Sequence, residues 1–174
     1  ANTRDTRGDG GYTGGFEGWE PNPVKVGWKA TEHNLDVYVL FMRLFRATGN
    51  PVWRERALWA KRFVRAMWND AAGHFWTGTE DDGARINRAA IPADAQTWGL
   101  LVLGEASRYG RGIPFVQTRC VVEEPCCSTQ RLRGTDFKAH AGPIDPRRDG
   151  IWWEGTAHTV LALRQLGQTA PARQ

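Results

Sequence analysis

Thr31-Glu32-His33-Asn34-Leu35-Asp36-Val37-Tyr38 is the stretch that decides the fold. Its polar first half leads into a run that stays almost wholly apolar as far as Phe45. Thr31 is a candidate N-cap, because its hydroxyl can accept a hydrogen bond from an unpaired N–H of the first helical turn. A helix that is apolar on every side is a buried helix. The stretch therefore predicts an inner helix over residues 32–48 whose N-terminal end carries a carboxylate, an imidazole and an amide.

The composition describes one domain of 174 residues with nine Trp and a net charge of +4. Some Trp side chains must lie in the core, whereas others can stack on flat ligands such as sugar faces. The basic residues of the second helix fall on one face, which favours a solvated surface over nucleic-acid binding. No apolar run is long enough to span a membrane. We therefore expect neither a nucleic-acid nor a membrane partner.

Three cysteines, Cys120, Cys126 and Cys127, occur close together. Their spacing does not match a four-ligand zinc site, so we expect a local disulfide or free thiols in a loop. A loop disulfide would favour an extracytoplasmic location, which is the location that we expect. The acidic run Glu80-Asp81-Asp82 lacks the ligand spacing of a calcium loop. The sequence predicts no metal and no cofactor.

The remaining elements follow from periodicity and turn residues. Residues 1–30 form a Gly/Pro-rich loop segment that leads to the helix start. Pro51 begins a one-sided outer helix that runs to about Trp68. Residues 74–91 predict a small β-hairpin, 115–122 a poor outer helix and 131–150 a loop. Further helices begin near Asp94 and Glu154, and 168–174 form a mobile tail.

Three predicted helices share one design, since those that begin at Thr31, Asp94 and Glu154 open with polar residues and then turn apolar. They start about 60 residues apart, with an amphipathic helix between the first two. This alternation predicts a mainly all-α chain of stacked α/α hairpins with inner and outer helices. If the inner helices run parallel, their polar ends would gather around a common cleft.

Four motifs of this chain resemble those of a known superfamily. They are Trp28-Lys29-Ala30-Thr31-Glu32-His33-Asn34-Leu35-Asp36, Ala66-Met67-Trp68, Asp94-Ala95-Gln96-Thr97-Trp98-Gly99 and Trp152-Trp153-Glu154-Gly155-Thr156-Ala157. Bacterial proteins of the six-hairpin glycosidase-like, (α/α)-toroid superfamily carry similar motifs. The similarity covers most of residues 19–167 and fits the C-terminal half of such a domain. It implies part of an (α/α)6-type toroid, a carbohydrate substrate, and either self-association or a partner segment that completes the ring.

Glycoside hydrolysis needs two carboxyl groups across the sugar bond. A carboxylate in the first turn of a helix is stabilised in its charged form, which suits a base. The resemblance implies an inverting mechanism. The candidate catalytic residues are Glu32, Asp36, Asp94 and Glu154. The candidate substrate-binding residues are Glu17, Trp19, Glu20, Trp28, His33, Asn34, Gln96, Trp98, Trp152, Trp153 and His158.

Three functions compete at this stage. A glycoside hydrolase that acts on an oligosaccharide or polysaccharide ranks first. A non-catalytic glycan-binding or structural domain is the alternative. A sugar epimerase or polysaccharide lyase is the third, in which His33 or His158 would transfer protons, as the ordinary pKa of histidine allows.

Overall fold

A computed structural model describes residues 3–126, 130–139 and 150–168 of the chain. It contains two compact units: unit 1 is residues 1–68 and 76–89, and unit 2 is residues 69–75 and 90–174. Each unit is described by itself. The predicted tail over 169–174, Cys127, and residues 140–149 of the predicted loop lie outside the described residues.

The helices and strands are short outside the two longest helices. Unit 1 contains β1 (Phe16–Glu17), β2 (Val24–Lys25), α1 (Thr31–Thr48), α2 (Pro51–Ala66), β5 (Gly78–Thr79) and β6 (Ile86–Asn87), and β3 (Trp68–Asn69) lies at the division between the units. Unit 2 contains β4 (His74–Phe75), α3 (Ala93–Leu103), α4 (Ala106–Tyr109), α5 (Gly112–Arg119), β7 (Val121–Cys126), β8 (Gln130–Thr135) and α6 (Trp153–Gln165).

Helices α1 and α2 form an α/α hairpin that turns where the sequence predicts, although α2 ends at Ala66 and the predicted last residue, Trp68, belongs to β3. Gly49 ends α1 in the left-handed region at φ 68°, and its N–H donates to the carbonyl of Phe45. Asn50 caps α2 by accepting from the N–H of Val52 at 3.0 Å, and Pro51 occupies the first helical position. The buried residues of α2 are Ala57, Ala60, Phe63 and Val64. The one-sided outer helix is thereby confirmed.

Thr31 is not the N-cap that the sequence predicts. Ala30 occupies that position, and Thr31 is the first residue of α1. The Thr31 hydroxyl donates to the carbonyl of Trp76 at 2.7 Å, and its N–H donates to the carbonyl of Thr77 at 2.8 Å. A neighbouring segment of unit 1 therefore uses the groups that a local cap would have used.

Helix α1 is less buried than its apolar sequence predicts. Thr31, Asn34 and Leu35 are its buried residues, and Leu40 is 53% exposed. Helix α2 covers one side of α1 through contacts such as the stacked rings of Phe41 and Trp53, 5.6 Å apart. The expectation of a fully buried helix is wrong for this chain, because an all-round apolar helix needs neighbours on more than one side.

The β-hairpin predicted near residues 74–91 is present but shorter. Gly78 and Thr79 of β5 pair antiparallel with Asn87 and Ile86 of β6. The preceding residues, His74 and Phe75, form the separate strand β4 rather than the first part of β5. A Cβ at Gly78 would overlap the carbonyl of Lys29, so only glycine permits this close approach.

The second half of unit 2 differs most from the prediction. The helix expected over 115–122 is α5, which begins earlier and ends at Arg119. β7 and β8 then pair over six residues each, from Val121 opposite Thr135 to Cys126 opposite Gln130, where the sequence predicts a loop from residue 131. Pro125 is tolerated because a two-stranded sheet leaves each strand with an open edge. Within the described ranges, no helix has the length and hydropathy to cross a bilayer.

The fourth residue of three helices ties each helix start to another segment of the same unit. The Asn34 amide accepts from the N–H of Tyr12 at 2.8 Å and donates to the carbonyls of Tyr12 and Ala30. In α3, the Gln96 amide accepts from the N–H of Phe75 at 2.7 Å and donates to the carbonyls of Phe75 and Pro92. Both side chains are fully buried.

Helix α6 repeats this arrangement with a hydroxyl. Thr156 donates to the carbonyl of Trp152, the residue that precedes the helix, and accepts from the N–H of Thr135, both at 2.9 Å. The three helices that the sequence groups together therefore begin with the same hydrogen-bonding device.

A buried lysine fixes the N-terminal segment of unit 1. The Lys29 ammonium donates to the carbonyls of Arg7 and Gly10 at 2.8 and 2.7 Å and lies 4.0 Å from the Asp5 carboxylate. Burial lowers the pKa of Lys29, although Asp5 opposes that effect. Burial alone would raise the pKa of Asp5, but hydrogen bonds from Arg7 and the charge of Lys29 outweigh it and lower that pKa.

We expect Asn34→Ala and Gln96→Ala each to lower the free energy of unfolding by about 1–3 kcal/mol for every buried backbone group left unpaired. Urea unfolding followed by circular dichroism measures the difference from the unmodified chain. Arg164→Ala, at an exposed position of α6, is the control and should change stability little. Equal stability of all three variants would contradict the structural role of the two amides.

The contribution of Asp5 to stability should depend on pH. Its pKa in the folded chain lies below the ordinary 3.8, so its contribution is fully present above about pH 5 and is lost as the pH falls through the folded value. Urea unfolding from pH 7 to pH 3 should show that Asp5→Asn is destabilising at neutral pH and approaches the unmodified chain in acid. Asp81→Asn, which alters an exposed carboxylate, is the control. A difference for Asp5→Asn that does not change with pH would contradict this linkage.

Candidate functional site

Unit 1 brings together three predicted site residues at the start of α1. His33 Nε2 lies 3.2 Å from Glu32 Oε2, and both side chains are partly exposed. The Trp28 ring lies beside the imidazole, with centroids 5.8 Å apart. A carboxylate can orient an imidazole through such a contact, and the indole provides a flat apolar face next to both.

The N-terminal segment of unit 1 positions this group. The N–H of Gly14 donates to the carbonyl of Trp28 at 3.0 Å. A Cβ at Gly14 would overlap the Trp28 ring, so glycine lets the indole lie against the backbone. Asn34, the next residue after His33, is locked by its bonds to Tyr12 and Ala30. These hydrogen bonds therefore hold the backbone that carries the partly exposed side chains of Glu32 and His33.

The other unit 1 candidates lie elsewhere. Glu17, Trp19 and Glu20 belong to the β1–β2 hairpin or its turn, and all three are exposed. Asp36 is exposed on α1, one turn beyond Glu32. Asn34 is buried and its amide bonds backbone groups, as described above. Gln96 of unit 2 has the same burial and the same kind of partners.

Unit 2 places His158 between two tryptophans. Its ring stacks on Trp98 with centroids 5.3 Å apart and planes at 10°, and it meets Trp152 edge to face at 6.5 Å. His158 Nδ1 is buried and has no hydrogen-bond partner within the described part of the chain. This ring cluster is a second place where an imidazole and flat apolar faces occur together.

Two residues that the sequence reasoning did not select hold this cluster. A Cβ at Gly155 would overlap the Trp152 ring, so the glycine allows the indole to fold over the first turn of α6. Phe137 meets Trp152 edge to face at 5.4 Å. Gly155 lies within the sequence motif Trp152-Trp153-Glu154-Gly155 and could have been selected from it. Phe137 is distant in sequence from that motif, so no local feature of the sequence indicates its contact with Trp152. At the same helix start, Trp153 is 67% exposed and Glu154 is exposed.

Asp94 is the one buried carboxylate among the four catalytic candidates, at 9% exposure. It is the second residue of α3, the position that Glu32 has in α1 and Glu154 has in α6. Asp136, which the sequence reasoning missed, is also buried. Both carboxylates act electrostatically on the buried thiol of Cys120. In the described ranges, no group of three or more His, Cys, Asp or Glu side chains is placed to hold a metal ion.

These elements define a fold of the six-hairpin, (α/α)-toroid class. The chain is similar to the solved cellobiose 2-epimerase of Bacillus thermoamylovorans B4167, with TM-score 0.64 and 14% identity over 97% of this chain and 46% of that one. It is also similar to the cellobiose 2-epimerase of Spirochaeta thermophila DSM 6192, with TM-score 0.57 and 15% identity over 97% of this chain and 44% of that one.

The chain thus spans about half the length of these solved structures. The likeness confirms the fold that the sequence motifs implied, and at this level of identity it establishes the fold alone. No protein-family model matches the chain, and no curated protein matches it significantly.

Cys120 should be inert in the folded chain. Burial, followed by the nearby charge of Asp136, raises the pKa of this thiol to about 12, and only a thiolate reacts readily. We expect the Cys126→Ser/Cys127→Ser variant to show no reaction with a disulfide reagent at pH 8 and full reaction of its remaining thiol in guanidinium chloride. Rapid reaction of the native variant would contradict the buried position.

Proposed function

We propose that this chain carries acid–base residues of a carbohydrate-active enzyme that epimerises a sugar next to its carbonyl group. The observation that carries the proposal is the Glu32–His33 contact of 3.2 Å beside Trp28. Epimerisation removes a proton from the carbon next to the carbonyl, and the electron pair moves to the carbonyl oxygen to give an enediolate. Return of a proton to the other face of that carbon completes the change of configuration.

An imidazole suits both proton transfers, because its ordinary pKa lies near neutral pH. We assign proton transfer to His33, with Glu32 as its orienting partner. Trp28 would stack on the sugar ring, since aromatic faces accept flat apolar C–H surfaces. Partial exposure of Glu32 and His33 leaves the pair open to a substrate.

His158 of unit 2 is the alternative imidazole for this proton transfer. Its stacking on Trp98 fixes the ring plane, and its buried Nδ1 lacks a hydrogen-bond partner in the described ranges. A buried polar atom without a partner is costly, and a substrate hydroxyl or water would offset that cost. Trp152 and Trp153 are the sugar platforms that we propose in this unit.

The fold supports this proposal as an analogy. The two similar solved structures are cellobiose 2-epimerases, and a fold hosts related chemistry more often than chance without establishing it. Cellobiose is therefore the first substrate to try. The whole activity remains a proposal, because the chain spans about half of each of those structures.

Glycoside hydrolysis is the second candidate. The specific observation in its favour is the burial of Asp94 together with Asp136, since hydrolysis requires two carboxyl groups of different character. Within unit 2, Glu154 is the further carboxylate to which an acid, base or nucleophile role would fall, and Glu32 and Asp36 are the corresponding candidates within unit 1. Loss of a carboxylate would then abolish product, whereas loss of His33 would have a smaller effect.

One experiment separates these functions. We expect the chain, incubated with cellobiose in deuterated water, to exchange the proton at carbon 2 and form the epimer, as followed by NMR. His33→Gln should lower the rate by about 10²- to 10⁴-fold, because general acid–base catalysis contributes that much. A loss of that size in His158→Gln alone would assign the proton transfer to unit 2 instead. Glu32→Gln should give a smaller loss, and Arg43→Gln, at an exposed position on α1, should have no effect.

Other outcomes would decide against epimerisation. Release of new reducing ends from cellobiose or a panel of polysaccharides, abolished by Glu32→Gln, Asp94→Asn or Glu154→Gln, would establish hydrolysis. Sugar binding without any chemical change, measured on a chain shown to be folded by circular dichroism, would establish the glycan-binding alternative.

A further inference from the structure

The hairpin β1–β2 with its turn, residues 16–25, is exposed at every position. We name this segment the hairpin arm. It carries Trp19, which at 93% is the most exposed of the large apolar side chains in the described ranges. Phe16 and Val24 of the same arm are also largely exposed. An indole this exposed presents nearly its whole flat apolar face to a ligand.

The arm is ordered by backbone hydrogen bonds. Phe16 pairs with Lys25 and Glu17 with Val24 in an antiparallel register. At its tip, the N–H of Asn22 donates to the carbonyl of Trp19 at 3.3 Å. The Trp19 indole is thus presented to solvent from a formed turn, which limits the entropy lost when a ligand binds.

The base of the arm joins the Trp28–His33 group. The N–H of Val26 donates to the carbonyl of Gly15 at 2.9 Å, and the N–H of Gly14 donates to the carbonyl of Trp28. Gly14 also lies against the Trp28 ring. The arm therefore extends from the same backbone that positions the proposed catalytic pair, and a long ligand at that pair could continue along it.

The chemistry of the arm fits a neutral sugar chain. An exposed indole offers a flat face to the C–H side of a sugar ring. Glu17, Glu20 and Asn22 provide acceptors, and the Asn22 amide also provides donors, for hydroxyl groups. The two carboxylates of the arm outnumber its one ammonium, that of Lys25, and this balance disfavours acidic polysaccharides.

We propose that the hairpin arm is a sugar-binding subsite in which Trp19 stacks on a ring of a neutral oligosaccharide whose reacting unit lies at the Glu32–His33 pair. This inference rests on the proposed function and extends its substrates to sugar chains longer than a disaccharide. The arm holds rings that do not react, so it contributes affinity that grows with chain length.

The test uses the full chain labelled with ¹⁵N in its tryptophans, with the Trp19 indole signal identified by its absence in Trp19→Phe. Cello-, malto- and xylo-oligosaccharides of two and six units are titrated, with hexameric oligogalacturonate as an acidic probe. We expect one of the neutral hexamers to shift the Trp19 signal and the matching dimer to shift it little. Trp19→Ala should weaken hexamer binding about three- to tenfold, the range that an aromatic contact supplies.

Two further variants check the assignment. Leu40→Ala changes an exposed apolar residue of α1, outside the arm, and should leave hexamer affinity unchanged. Trp19→Tyr keeps a flat aromatic face and should retain most of the affinity. An equal loss in Leu40→Ala and Trp19→Ala would overturn the assignment to the indole.

Each remaining outcome supports or overturns the subsite, and some also bear on the epimerase proposal. No Trp19 shift with any neutral hexamer overturns the subsite but leaves the epimerase proposal standing if deuterium exchange into cellobiose occurs. A Trp19 shift with no turnover keeps the subsite and overturns the epimerase proposal. Tighter binding of oligogalacturonate overturns the neutral ligand class. A Trp19 shift that depends on protein concentration without sugar overturns the subsite in favour of contact between two copies of the chain.

Discussion

The structure depends on one hydrogen-bonding arrangement that recurs at three helix starts, fully buried in two of them and half-buried in the third. Asn34, Gln96 and Thr156 are each the fourth residue of a helix, and each bonds the carbonyl of the residue before that helix. Each also accepts from a backbone N–H of another segment. A buried backbone group without a partner is costly, so these side chains are needed wherever the loop before an inner helix runs against its first turn.

Local sequence features predicted the parts of the fold that local physics controls. Gly49 and Pro51 marked the end of α1 and the start of α2, because glycine tolerates the left-handed conformation and proline needs no donor at a first helical position. The parts of the fold that the sequence did not predict depend on contacts between residues distant in sequence. Thr31 bonds residues 76 and 77 instead of capping its helix, and the pairing of β7 with β8 runs through a proline that normally counts against a strand.

The sequence selected the candidate site residues by their polar character at the helix starts, and burial then separates the roles that are open to them. Asn34 and Gln96 are occupied by backbone partners, whereas Glu32 and His33 remain accessible beside Trp28. The sequence contains no local sign of this difference, because it arises from which segment packs on each helix start. Likewise, the apolar surface of α1 predicted full burial, but the extent of burial depends on neighbours that a single helix does not encode.

The recurring arrangement also explains where the chemistry of the three helices can diverge. The second residue is acidic in all three, and the fourth is committed to holding the helix start. The first and third residues differ among the three helices. The third is His33 in α1, which pairs with the preceding carboxylate, and Ala95 in α3, which is buried. It is Gly155 in α6, where the missing side chain admits the Trp152 ring, which meets His158 edge to face. The same hydrogen-bonding arrangement thus holds an imidazole–carboxylate pair at the start of one helix and an aromatic cluster at the start of another, because the side chains around the fourth residue differ.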